Sequence, residues 1–279
     1  MTDAVLRSGS ALDADDTREV VYRHRLATRV WHWINALTIF VMLMSGMMIF
    51  NAHPQLYWGQ YGADDDHSWL EIGSTDDHHG FLRVGTLTIP TTGVLGYTQS
   101  QDVAFPPLVT IPTSYDLAGA RSWHFFFAWF LVIPTLLYWI WSVATHHLQR
   151  DLAPEPQELQ PRHLLRDIAN HARLRFPTGE AARRYNVLQK LAYLSVLFGL
   201  LPLVVLTGLT MSPGVDAAWP WLLDIFGGRQ SARSIHFLCA TGLAGFILVH
   251  LTMVLLAGPW NEVRSMLTGH YRLPGSARR

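Results

Sequence analysis

The chain has one cysteine, Cys239, and one lysine, Lys190, among 279 residues. A single thiol excludes disulfides within the chain, thiolate zinc sites and cysteine-ligated iron–sulfur clusters. Charge is scarce as well. Asp, Glu, Lys and Arg make up 15% of the chain, against about 25% in an ordinary globular domain. Cations and anions balance at 21 each, so the basic excess of a nucleic-acid binder is missing. A hydrophobic fraction of 49% argues against a disordered chain. What remains abundant is tryptophan, with 11 residues, and histidine, with 14. So much histidine in so apolar a chain requires a reason.

The apolar residues fall into four stretches: 30–50, 122–144, 187–210 and 234–256. Each is near the length of about 20 residues that crosses a bilayer as helix. The first contains no acid, lysine or arginine, and the third has Lys190 as its only such side chain. Pro134 and Pro202 lie inside the second and third, which spanning helices tolerate when neighbours satisfy the freed carbonyl. Four buried helices of a soluble protein are the alternative, but soluble helices show a polar face, and these show almost none. The first stretch is too long for a signal-peptide core and follows nearly 30 polar residues, so it reads as a retained anchor.

The cations predict orientation. Five arginines precede the first stretch, eight cations lie between the second and third, and four arginines follow the fourth. Only Arg83, Arg121, Arg229 and Arg233 fall on the other side. Both termini are therefore expected in the cytoplasm of a bacterial inner membrane. The segment 51–121 becomes an extracytoplasmic cap and 145–186 a cytoplasmic loop. The cap is acidic, with Asp64, Asp65, Asp66, Glu71, Asp76 and Asp77 close together. The alternation in 84–89, followed by the turn signal of 90–93, predicts short β-strands there. A surface helix is expected over 161–174, its cations against anionic lipid, and another over 259–267. Residues 1–20 read as disordered and 273–279 as a tail.

Ionisable groups inside spanning helices are rare and usually functional. His32, His124, His236 and His250 qualify. His236 and His250 are 14 residues apart on the fourth helix, about 21 Å along its axis and about 40° around it, so they share one face. His32 lies at the depth of His250, near the cytoplasm. His124 lies at the depth of His236, near the outside. Two facing imidazoles can clamp a flat macrocycle by binding its iron. Three of the four follow an arginine by three residues: Arg29 before His32, Arg121 before His124 and Arg233 before His236. A guanidinium there suits haem propionates, and the aromatic after each histidine can pack at the macrocycle's edge. The alternative for the arginines is a topology signal. For the histidines it is a buried hydrogen-bonded role or a proton relay, although the helices hold no carboxylate to complete one. His146 and His147 suit headgroup contact or quinone protonation. His53, His67, His78 and His79 read as surface residues or a divalent-metal site in the cap. His24, His163, His171 and His270 read as surface residues.

These motifs resemble the bacterial cytochrome b561 family. They are Arg29-Val30-Trp31-His32-Trp33, Arg121-Ser122-Trp123-His124-Phe125-Phe126-Phe127, Leu188-Gln189-Lys190-Leu191-Ala192-Tyr193, Thr207-Gly208 with Met211-Ser212-Pro213, and the His236–His250 pair. The chain is most similar to the branch of the thiosulfate reductase cytochrome b subunit, related to the cytochrome subunits of formate dehydrogenase and nickel–iron hydrogenase. The resemblance covers about residues 20–272. It implies an all-α integral membrane protein: a four-helix bundle holding two haem b groups, His32 with His250 and His124 with His236, the fourth helix serving both. It also implies electron exchange between quinone and a partner subunit, and the long cap resembles versions that accompany molybdenum-containing oxidoreductases. The expected function is electron transfer between the quinone pool and an extracytoplasmic redox subunit docked on 51–121, with substrate chemistry lying in that subunit. A stand-alone superoxide:quinone oxidoreductase and a haem-free anchor or proton-coupled carrier are the alternatives. Asn35, His146 and His147 are the quinone-site candidates.

Overall fold

The computed structural model describes residues 19–63, 66–173 and 186–273. The expected disorder of residues 1–18, the tail 274–279, Asp64, Asp65 and the segment 174–185 lie outside the described residues. In chain order, β1 (Val20–Tyr22) leads into α1 (Leu26–Asn51). The cap then carries β2 (Gln55–Leu56), β3 (Leu70–Ser74), β4 (Gly80–Val84), β5 (Leu87–Pro90), β6 (Gly96–Thr98) and β7 (Gln101–Val103). Next come α2 (Leu117–Ala144) and the surface helix α3 (Pro161–Ala172). The third span joins α4 (Val187–Ser195), a π-helical turn (Val196–Leu200) and α5 (Leu201–Thr210). Two short helices, α6 (Pro213–Ala218) and α7 (Trp221–Ile225), precede α8 (Arg229–Ala257). The chain closes with α9 (Pro259–Thr268) and β8 (His270–Arg272).

Among the described residues four helices are long and apolar enough to cross a membrane, and the chain is an integral membrane protein. Three of them begin before their apolar stretches, at Leu26, Leu117 and Arg229. Arginine is a good helix former, so the helix continues through the polar boundary that hydropathy reads as an end. The π turn lies where Pro202 has no N–H to offer the Phe198 carbonyl. Polarity is inverted relative to a soluble protein. Helix α1 buries Asn35, Thr38, Val41, Ser45 and Met48, and α5 buries Leu201, Val204, Thr207 and Thr210. Leu37, Phe40, Trp129, Ile133, Ile140 and Leu248 are exposed. Small and polar side chains inward with large apolar ones outward is the pattern of helices packed in lipid.

The chain divides into two compact units, one from 1–32, 138–194 and 248–279, the other from 33–137 and 195–247. The second contains the cap. Its antiparallel sheet runs β2-β3-β4-β5, and β6-β7 form a separate ribbon. The alternation in 84–89 is not one strand. Val84 pairs with Leu87, so the chain turns back at Gly85-Thr86, where Gly85 takes φ +57°. Glycine meets that left-handed requirement of a two-residue hairpin, and alternation alone cannot reveal a reversal inside the run. Phe50, Leu56, Leu70, Ile72 and Ala104 form the cap core.

The cap grips the first turns of α8. Gly59 donates its N–H to Ser231 Oγ at 2.7 Å, and its carbonyl accepts from the N–H groups of Gln230 and Ser231. Arg233 donates to the carbonyls of Gln55 (2.8 Å) and His53. Ser234 Oγ donates to the Tyr57 carbonyl at 2.6 Å and accepts from Trp69 Nε1 at 2.9 Å.

In the first unit β1 and β8 meet. Strand β1 pairs with β8, Val21 opposite Tyr271, so order begins by Val20, inside the segment expected to be disordered. Gly269, at φ +86°, accepts the N–H of Arg23 at 2.8 Å and of His24 at 3.3 Å on its carbonyl. This ribbon buries His24, which is only 7% exposed and is not the surface residue its sequence position suggested. Its imidazole is lowered to a pKa of about 4, by burial first and then by the Arg23, His32 and Arg29 charges. Burial pushes the Glu262 carboxyl up, against the pull of Arg23 and Tyr271. Asn186 and Gln189 form a reciprocal cap at the start of α4: Asn186 Oδ1 accepts from Leu188 N (2.8 Å), and Gln189 Oε1 accepts from Asn186 N (3.3 Å). Lys190, buried one turn in, donates to both oxygens of Glu158 at 2.8 and 3.1 Å.

Two outcomes follow. Ser234→Ala leaves the Trp69 N–H and the Tyr57 carbonyl without this partner, at about 1–3 kcal/mol for a buried unsatisfied group. The thermal midpoint should fall and proteases should cut 51–121 sooner; an unchanged digestion pattern would show that Ser234 does not anchor the cap. His24 is neutral when folded and protonated when unfolded between pH 4 and 6.5. Its contribution to stability is complete above about pH 6.5 and is lost as pH falls toward about 4. The thermal midpoint should therefore drop more between pH 7 and pH 5 in the native chain than in His24→Gln. Equal drops would contradict the assignment.

Candidate functional site

The cap fixes the start of α8, and His236 stands one turn beyond the clamped Arg233 and Ser234. His124 stands two turns into α2. The structure brings these two together, their ring centroids 6.2 Å apart and their planes at 59°. His32 and His250 meet in the other unit, also at 6.2 Å, with planes at 62°. Each sequence-predicted pair thus lies within one compact unit.

Two imidazoles ligating one iron from opposite sides should show a defined separation. A metal–nitrogen bond of about 2 Å on each side, plus about 1.2 Å from nitrogen to ring centre, gives about 6.4 Å. Both pairs match. An edge-to-face ring contact spans a similar distance, so the bonding of the nitrogens decides more. His124 Nδ1 is 3.1 Å from Ser45 Oγ. His236 Nδ1 is 2.9 Å from the Val204 carbonyl and 3.2 Å from Thr207 Oγ1. A ligating histidine normally donates its second ring N–H to such an oxygen, which fixes tautomer and ring orientation. The donor set therefore fits haem iron. Two glycines adjoin these rings. A Cβ on Gly46 would stand 3.5 Å from His124 Cε1, and one on Gly208 would stand 3.2 Å from His236 Cε1.

The neighbouring predictions fare differently. Arg29 donates to the Leu267 carbonyl, and Arg233 serves the cap as described. Arg121 is exposed, its guanidinium 5.7 Å from the Phe125 ring centre. Phe237 stacks on Phe50 at 4.8 Å, against the cap core. The cap needs that ring because Phe50 ends α1 directly beneath its sheet. Trp33 and Phe125 are exposed.

His147 is buried, 5.1 Å from the Trp141 ring, whereas His146 is exposed at φ +55°. The reversal at His146 turns the next side chain back onto α2. Asn35 is buried, with Thr135 Oγ1 donating to its Oδ1 at 3.5 Å. It lies one turn along α1 from His32. In the cap, His78 stacks on Tyr97 at 4.9 Å, 3.6 Å from Asp102. His67, His78 and His79 are exposed, and His53 is half-buried, its ring 5.8 Å from that of Tyr57; among the described residues no group of three or more His, Cys, Asp or Glu side chains could hold a metal ion. Ser45, Gly46 and Val204 escape sequence reasoning. The signal that could have found them is a hydroxyl residue followed by glycine inside an apolar helix.

A family model described as prokaryotic cytochrome b561 matches residues 23–269. The chain is 24% identical over 254 residues to a protein of Azospira oryzae provisionally named protein-methionine-sulfoxide reductase subunit YedZ1, covering 91% of this chain and all of that protein. It is 26% identical over 273 residues to the provisionally named cytochrome YdhU of Escherichia coli (strain K12), covering 96% of this chain and 82% of that protein. No solved structure matches significantly.

Proposed function

The chain belongs to the prokaryotic cytochrome b561 family, and from that membership we propose that it holds two haems and carries electrons between membrane quinone and a redox subunit across the bilayer. Membership itself makes it a membrane electron-transfer protein of the cytochrome b type, and cytochromes of this family bind haem b. When bound, haem b supplies reversible one-electron iron chemistry. His124 and His236 hold one group, and His32 and His250 the other. The observation that carries this reading is the separation of 6.2 Å recurring in both pairs. The engaged Nδ1 atoms of the outer pair support it, because they leave Nε2 as the ligating atom. The exposure of Arg121 supports contact with a propionate. Arg29 and Arg233 spend part of their five donors on carbonyls and offer the remainder.

The cation bias supports cytoplasmic termini and an extracytoplasmic cap in a bacterial inner membrane. Quinone exchanges electrons on the side of the termini, where His146 is exposed. The partner docks on 51–121. A relative named as a reductase subunit supports a subunit role, and the cap is a folded platform with Tyr61, Leu87, Val94 and Leu108 exposed. The conversion of substrate then belongs to the partner, a molybdenum-containing oxidoreductase by the family resemblance.

The purified chain should show a dithionite-reducible b-type spectrum with two haems per chain. His124→Ala and His236→Ala should each leave one haem, and His32→Ala and His250→Ala should spare the outer one; full haem content in all four would refute the ligand set. A redox subunit should co-purify from native membranes and detach when the cap is deleted. If the isolated chain alone reduces quinone with superoxide, the stand-alone oxidoreductase reading replaces the subunit reading.

A further inference from the structure

The two outer histidines are held by the same short device, built twice on different helices. On α1, the Met42 carbonyl, the Ser45 hydroxyl and Gly46 face His124. On α5, the Val204 carbonyl, the Thr207 hydroxyl and Gly208 face His236. In each case a carbonyl three residues before the hydroxyl bonds the imidazole, the hydroxyl oxygen lies within 3.2 Å of Nδ1, and the next residue is glycine, open to Cε1.

The hydroxyl protons settle the direction of these bonds. Ser45 Oγ donates to the Met42 carbonyl at 3.2 Å. Thr207 Oγ1 donates to the Leu203 carbonyl at 2.7 Å, with Val204 O at 3.2 Å. Each hydroxyl has one proton, and that proton is committed to the helix's own backbone. The oxygen can then only accept from the imidazole. Both rings are therefore assigned as the Nδ1–H tautomer, with the lone pair on Nε2.

We propose that Ser45, Thr207 and Gly208 are positioning residues for the outer haem ligands: the hydroxyls fix the tautomer and raise imidazole basicity, and Gly208 sets how closely the His236 ring lies against its supporting helix. This rests on the ligand assignment proposed above. A more basic axial imidazole favours the oxidised iron, so the hydroxyls hold the outer potential down. The glycines are not equivalent. A methyl on Gly46 would make an ordinary contact at 3.5 Å, whereas one on Gly208 would press on His236 at 3.2 Å.

The test is a potentiometric titration of the full-length protein followed by visible and electron paramagnetic resonance spectra. Ser45→Ala and Thr207→Val should each raise the midpoint of one haem and leave the other unmoved. Thr207→Ser, which keeps the acceptor, should stay near the native value. Gly208→Ala should change the low-spin signal of the outer haem or release that haem, and Gly46→Ala should change little. If His124→Ala and His236→Ala each lose a haem while the hydroxyl and Gly208 variants keep native potentials and spectra, the positioning role is wrong and the ligand assignment stands. If the histidine variants retain both haems, the ligand assignment itself fails and the positioning role with it.

Discussion

A polar atom inside an apolar helix must find a partner, because no water is there to supply one. Much of this structure follows from that constraint. The hydroxyls of Thr207 and Thr210 bond to carbonyls one turn back. Ser45 does the same and then presents its oxygen to a histidine. Imidazole is the most demanding case, since it carries one donor and one acceptor. Carbonyl and hydroxyl oxygens of neighbouring helices meet the donor in the His124–His236 pair. The acceptor can be met by a metal, which turns two expensive buried groups into a site.

The same constraint explains the cap's position. Helix α8 begins with unsatisfied N–H groups and has serines at 231 and 234 instead of large apolar side chains. The loop after α1 runs close against them and supplies carbonyls at His53, Gln55, Tyr57 and Gly59. The cap is thus a structural element of the His124–His236 site before it is a surface for anything else. Its use of Phe237, the residue after a proposed ligand, shows how tightly the two are joined.

Much of this was legible in the sequence. Hydropathy located all four spans, because lipid-facing residues such as Leu37, Phe40 and Ile140 must be apolar. The histidine pairing was legible because a helix has a fixed rise and twist, so a spacing of 14 residues fixes both depth and face. What was not legible depends on contacts distant in sequence. Nothing local announces that His24 is covered by a ribbon between residues 20–22 and 270–272. Nothing local announces that Arg233 reaches carbonyls about 180 residues away. The reversal at Gly85 was hidden because a turn of two residues preserves the alternation of the strands it joins. Ser45–Gly46 was missed because one hydroxyl in an apolar run costs little when it bonds its own backbone.

Helix α8 shows how these parts combine. With 29 residues it is about 44 Å long at 1.5 Å per residue, against a hydrocarbon layer of about 30 Å. Centred in that layer, it would project about 7 Å at each side. His236 is seven residues from its first residue and His250 seven from its last, about 10 Å from either end. Both rings then fall just inside the apolar boundary. A rigid helix keeps that placement only if its ends cannot slide. The cap holds the first turn, and Gly258, at φ +108°, ends the helix and sends the chain into α9. The cap thus anchors the end of α8 that carries His236.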